Sequence, residues 1–252
     1  MKRAERHHLK QNPFATWVAD VTEAAATHGR QITYGLVVLV VVAALVAGYF
    51  YWRARISGEA DAALAAALTI AEAPVIAPAA PGTTDTATPP PAPQPGSYPT
   101  RTARLEAALP AFLAVAASYP GSDAATTALY HAGATLAAVG RLDEAASRYQ
   151  QVVERDRGGL YGQMAELGLA NVHVLQGQPD RAIAIYQSLS SAADTRLPID
   201  AVLLQLGRAF VKAGQPEEAA RVYRRIVDEF PESLFLADAT NALAEMEASR
   251  QS

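Results

Sequence analysis

From Leu129 onward the chain repeats its own order of apolar and polar positions. Three stretches, LYHAGATLAAVGRLDEAASRYQQVV from Leu129, ELGLANVHVLQGQPDRAIAIYQSL from Glu166 and LLQLGRAFVKAGQPEEAARVYRRIV from Leu203, align without gaps through their shared length. Glycines fall at Gly140, Gly177 and Gly214, 37 residues apart each time. Small residues at Gly133, Ala170 and Gly207 keep the same interval, as do Ala145, Ala182 and Ala219. Tyr149, Tyr186 and Tyr223 follow, then Val152, Leu189 and Ile226. Each unit reads as a helix, a short turn at the glycine and a second helix. The expected fold is all-α, a solenoid of helix pairs. The small residues face the partner helix, where a missing side chain lets two backbones approach, and each tyrosine fills the space beyond. Pro179 and Pro216 begin second helices, where an absent N–H is no loss. Asp143-Glu144, Asp180 and Glu217-Glu218 occupy the first turn of those helices, favourable against the positive helix end.

Two positions break the pattern. Glu166 stands where Leu129 and Leu203 are apolar, and His173 takes a core position held elsewhere by Leu136 and Phe210. Shifting the register back by 37 residues gives Ala108, Phe112, Val115 and Pro120, so Arg101–Tyr119 reads as another second helix. Tyr119-Pro120-Gly121-Ser122 parallels Phe230-Pro231-Glu232-Ser233. The matching first helix would fall on a proline-rich stretch that cannot form it. Residues 59–73, with Leu64, Ala67, Leu68 and Ala71 at helical spacing, are expected to dock as that missing helix. Ser233–Arg250 reads as a closing helix with Leu236, Ala239, Leu243 and Met246 on one face.

The N-terminal third is organised differently. Residues 1–30 form a polar tail of net charge +2, carrying Lys2, Arg3, Arg6, Lys10 and Arg30. In it, Asn12-Pro13 marks a helix start, and Phe14, Trp17, Val18 and Val21 give an amphipathic face that ends near Gly29; an interfacial helix and a disordered tail are both open readings. Ile32–Trp52 is then 21 uncharged residues, enough for roughly 30 Å of helix, the thickness of a bilayer core. Tyr34 lies near one end and Tyr49, Tyr51 and Trp52 at the other, followed by Arg53 and Arg55, as at a membrane interface. We therefore expect a transmembrane helix over 31–53 and a further helix over 54–73. The apolar run is too long and begins too late for a signal peptide, although Ala60-Asp61-Ala62 mimics a cleavage site. The excess of Lys/Arg in the tail favours a cytoplasmic N-terminus. Residues 74–100 hold nine of the sixteen prolines and read as an extended linker reaching tens of ångströms, ahead of the repeat domain at 101–252.

Composition narrows the chemistry. Over 252 residues the net charge is −4, so a nucleic-acid partner is not expected. No cysteine is present, which excludes disulfides, thiolate nucleophiles and cysteine-based metal sites. The histidines, His7, His8, His28, His131 and His173, show no metal-site spacing with nearby carboxylates. No glycine-rich loop follows a strand, and no nucleophile elbow occurs. Neither a metal, a cofactor nor an enzymatic activity is expected. A binding surface is. Stacked helix pairs present their first helices on an inner wall. By repeat register that wall carries Tyr130, Ala134 and Ala137, then Met164, Leu167, Asn171 and Val174, then Leu204, Arg208, Val211 and Lys212. It is apolar with three polar handles and suits a protein or peptide partner.

The unit resembles the tetratricopeptide repeat, in which helix pairs carry small residues at the eighth and twentieth positions, an aromatic at the twenty-fourth and often proline at the thirty-second, a place filled here by Pro231. The usual period is about 34, and the three extra residues are expected in the link between pairs. Chaperone-tail-binding members of that class use a cationic clamp, and Tyr130 stands where that clamp would have lysine. The whole plan of tail, span, helix, linker and repeats resembles the bacterial ancillary SecYEG translocon subunit family. The resemblance implies an inner-membrane protein with periplasmic repeats, near translocon subunits or a periplasmic chaperone. The alternative is a scaffold for envelope or cell-division assembly that self-associates, for which Ala43/Ala47 and Ala44/Gly48 offer a small-residue face in the span.

Overall fold

A computed structural model describes residues 13–76 and 96–251. Side chains are described for Arg30, 33–76 and 96–249. The chain divides into two units, Met1–Ile56 and Ser57–Ser252.

Helix α1 (Pro13–Ala71) begins at the predicted proline and is continuous through Gly29 and Ser57-Gly58. The side chains of Phe14, Trp17, Val18 and Val21, and so the amphipathic face read there, lie outside the described ones. Within α1, Thr33–Ala71 contains a window of mean hydropathy 2.3, none of it buried, and is long and apolar enough to cross a membrane; a signal sequence near an N-terminus meets the same criterion. Its apolar residues face outward all round: Leu39 is 68% exposed, Leu45 69% and Trp52 60%. A helix apolar on every side is stable only when another apolar phase surrounds it. Arg30 sits over the Tyr34 ring, 5.9 Å from its centroid.

The second unit is built of helices that pack in sequence. After the last turns of α1 come α2 (Arg101–Ser118), α3 (Asp123–Ala138), α4 (Leu142–Arg155), α5 (Leu160–Leu175), α6 (Pro179–Ser191), α7 (Ile199–Lys212), α8 (Pro216–Glu229) and α9 (Leu236–Gln251). Each from α2 onward packs on the next, and α3 also touches α5, and α5 touches α7. The first helices of the pairs are therefore neighbours along one wall, the defining contact of a solenoid. The described residues contain no strand, only a single parallel bridge between Val75 and Tyr98.

The repeat positions have their predicted geometry. Gly140, Gly177 and Gly214 have φ of +83°, +73° and +71°, conformations that side chains disfavour. Each closes the same helix end. Arg141 N–H donates to the Leu136 carbonyl (2.9 Å), Gln178 to His173 (2.8 Å) and Gln215 to Phe210 (2.9 Å), with the glycine N–H bonded one turn inside. Pro179 and Pro216 start their helices as expected. The two Pro-containing turns also match: Ser122 N–H donates to Tyr119 and Ser233 N–H to Phe230, both at 3.0 Å. Ser122 Oγ then caps α3 by accepting from Ala125 N–H.

Two apolar clusters make the core. The first runs from Ala60 and Ala67 through Ala108, Phe112 and Val115 to Leu136, Tyr149 and Val172. The second runs from Ala170 and Tyr186 to Leu203, Tyr223, Ile226 and Ala239. Ala239, Leu243 and Met246 of α9 close it. Tyrosines fill the gap left by the small residues: a Cβ added at Gly133 would stand 3.0 Å from the Tyr149 ring, and one at Gly207 would stand 2.5 Å from Tyr223. Burial pushes the phenols of Tyr149 and Tyr186 well above their ordinary range. The link between pairs is short after α4 (156–159) and longer after α6 (192–198) and α8 (230–235), so the junctions are not lengthened equally. Buried Gln163 holds the 192–198 link, accepting from Arg196 N–H at 2.7 Å.

Candidate functional site

The inner wall is assembled from α3, α5, α7 and α9. A helix presents the same face every three to four residues, so a wall position recurs at the repeat interval. Of the predicted wall residues, the structure gathers Asn171 and Val174 of α5 with Arg208 and Lys212 of α7 around a hollow of about 310 Å³. Leu204, Arg208, Val211 and Lys212 line a second hollow of about 790 Å³ that continues across to α9. The two share Arg208 and Lys212, so they adjoin. Leu204 forms a floor, being 3% exposed, whereas Val211 is 50% exposed and stands on the rim.

The other predicted residues lie elsewhere. Tyr130 packs among rings, its centroid 5.9 Å from Tyr149 and 5.7 Å from Tyr161. Burial, and then the neighbouring Tyr161, raise its pKa. Ala134 is packed against the first cluster, as are Ala137 and Tyr161. Leu167 packs against the second cluster, and Met164 is half-buried. These wall positions are half-buried packing residues, and the two hollows lie along α5, α7 and α9.

Polar groups in this region are partly engaged with each other. Asn171 is exposed, yet its Oδ1 accepts the Tyr186 hydroxyl at 2.6 Å, so the tyrosine that fills the pair interior also fixes this handle. Arg208 pairs with Asp238 of α9 at 3.0 Å, both about half exposed, a geometry worth little in stability but effective for orientation. Lys212 makes no ion pair among the described residues and is exposed on the same rim. His173 lies 3.2 Å from Gln176 Oε1 through Nδ1, and Gln176 Nε2 donates to Asp143 at 2.8 Å, linking α5 to α4. His173 is thus a half-buried packing residue outside both hollows.

The α9 contribution was missed by reading that helix only as a cap. Asn241, Glu245 and Ser249 lie on the groove, and they stand one interval after Leu204, Arg208 and Lys212. The register therefore carried the signal. Gly168 was missed as well: a Cβ there would come within 2.5 Å of the Tyr149 ring, while the equivalent positions hold His131 and Gln205. Among the described residues no group of three His, Asp or Glu converges as a metal ligand set. The hollows offer an apolar floor with Arg208, Lys212, Asp238 and Glu245 along the larger one, an arrangement that can recognise a chain segment by shape and a few polar contacts.

Comparison with known proteins addresses the fold. Residues 136–198 and 201–233 each match family models described as tetratricopeptide repeat. No curated protein matches the chain. Among solved structures, the nearly identical TPR-like repeats of Podosopora anserina align at 18% identity over 59% of this chain and 81% of that one, with a TM-score of 0.52. A crystal structure of MamA aligns at 16% identity over 59% of this chain and 80% of that one, with a TM-score of 0.49. A tetratricopeptide repeat protein from Parabacteroides merdae aligns at 16% identity over 58% of this chain and 55% of its own, at a TM-score of 0.48. Residues 136–198 and 201–233 therefore carry tetratricopeptide repeats, within an all-α solenoid.

Proposed function

We propose that this protein is a membrane-anchored adaptor whose repeats hold protein or peptide segments, at the bacterial secretion translocon on the periplasmic side. The observation that carries the binding role is the pair of adjoining hollows along α5, α7 and α9, floored by Leu204 and edged by Val211 and Lys212. Repeat solenoids generally serve protein–protein interaction, and their concave faces are the usual binding surface. An apolar groove with few charges suits an amphipathic or extended segment.

Anchoring is supported by the wholly exposed apolar length of α1 and by Arg53 and Arg55 beyond its aromatic end. The five Lys/Arg of residues 1–30 support a cytoplasmic N-terminus in the bacterial inner membrane. The translocon setting rests on the resemblance in plan. Affinity purification from gently solubilised membranes tests it. Recovery of translocon subunits or a periplasmic chaperone is the expected result. Recovery of cell-division proteins or of a second copy of this chain would replace it with the scaffold reading. An N-terminal tag accessible only from outside would reverse the topology.

A further inference from the structure

The two described ends of the proline-rich stretch lie against each other. Ile76 N–H donates to the Tyr98 carbonyl at 2.9 Å, and Tyr98 N–H donates to the Pro74 carbonyl at 3.0 Å. Residues 74–76 and Tyr98 therefore lie side by side. Arg104 of α2 reaches back to donate to the Ala73 carbonyl at 2.9 Å, satisfying a group left open by the end of α1. Ala60 and Ala67 are 0% and 1% exposed and belong to the same cluster as Ala108, Phe112 and Val115. Leu64, Leu68 and Ala71 pack beside them at helical spacing. On the other side His131 of α3 stacks on Phe112, 5.3 Å between centroids, and feels the charge of Glu72. Small residues buried against a large aromatic of the second helix are the same arrangement as Gly133 with Tyr149 and Gly207 with Tyr223.

We propose that the apolar face of α2 and α3 is a helix-binding surface whose partner is residues 57–71 of this chain, which complete a further repeat with α2. Residues 77–95 connect the two helices of that repeat in the sequence. Side-chain packing and the 73–76/98–104 hydrogen bonds hold the pair, so an intact connection is not required. Proteolysis within 77–95 leaves the repeats attached, whereas a cut near Ala62 divides the docked helix itself.

The test uses the full chain in mild detergent with a site-specific protease sequence replacing residues 83–88 and an N-terminal affinity tag. After complete cleavage the α2–α9 fragment is expected to stay on the tag in near-equimolar amount. Ala67→Glu, which places a carboxylate in the closed interface, is expected to reduce retention at least tenfold. Ala66→Glu, exposed on the same turn, is expected to leave it unchanged. Release of the wild-type fragment on cleavage would overturn the proposal without recourse to any variant. Equal retention of Ala67→Glu and Ala66→Glu would overturn it too.

Discussion

At the scale of single residues, the close approach of paired helices depends on what is absent. Gly207 leaves room for the Tyr223 ring, which an added Cβ would meet at 2.5 Å. Alanine gains about 1 kcal/mol over glycine in a helix interior, but overpacking a closed core costs about 1–3 kcal/mol. Steric conflict wins, and Gly207→Ala is expected to lower stability. Gly133→Ala meets Tyr149 at only 3.0 Å and is expected to be nearly neutral, since Ala170 fills the same position in the middle unit. Thermal unfolding of the two variants checks the order. Glu166 is the opposite case, a carboxyl where the flanking units bury Leu129 and Leu203. Burial raises its pKa above 4.5. Its folded form therefore binds a proton more readily than its unfolded form. The resulting stability is full below 4.5 and is lost as pH rises through the raised value. Glu166→Leu is expected to raise Tm by about 2–4 °C at neutral pH, from about 1 kcal/mol of half-complete burial. The gain shrinks as pH falls through the carboxylate range, and a Tm series against pH reads the trend.

At the scale of elements, periodicity made most of the fold legible. Three copies of the same small–Gly–Ala–Tyr order located α3 to α8, because each position meets the same neighbour in every pair. Back-translation by one interval found α2, and the proline-rich break in the register pointed to residues 59–73. What the sequence left out is whatever does not repeat. Gly168 opposes a tyrosine of the preceding pair where the other units have His131 and Gln205, and the brace that Gln163 makes to Arg196 returns one interval later as Asp200 with Ser233 but through a different residue type. Pro110 lies inside α2, yet the helix continues, because the residue is exposed and only one ladder bond is forfeited. Composition reports the stiffness and reach of the linker; the Pro74–Tyr98 and Ile76–Tyr98 hydrogen bonds at its two ends are not periodic and leave no sequence signal. Helix α9 was recognised as a cap but not as a groove wall. Deleting α9 from Leu236 onward exposes Tyr223 and Leu204 and removes the partner of Arg208. Circular dichroism is expected to show loss of helix beyond the deleted residues, as α7 and α8 fray. Loss of the α9 signal alone would mean that the cap carries no packing.

At the scale of the whole molecule, two physically distinct parts share one chain. The first is an apolar helix with no buried side chain in its most hydrophobic window, and the second is a solenoid with two adjoining hollows along α5, α7 and α9. Register grouped Asn171, Val174, Leu204, Arg208, Val211 and Lys212, all of which line one or both of two adjoining hollows, whereas Tyr130 and Ala134 pack against the first core cluster. The central claim is that this C-terminal groove holds a protein segment. Site-specific photo-crosslinking in living cells tests it most directly, with the probe at Val211, at Asn241 or at Arg224, which is exposed on the second helix α8. Discrete protein adducts from Val211 and Asn241, reduced several-fold by Lys212→Glu and absent from Arg224, are the predicted result. Adducts from Arg224 with none from Val211 and Asn241 would contradict it.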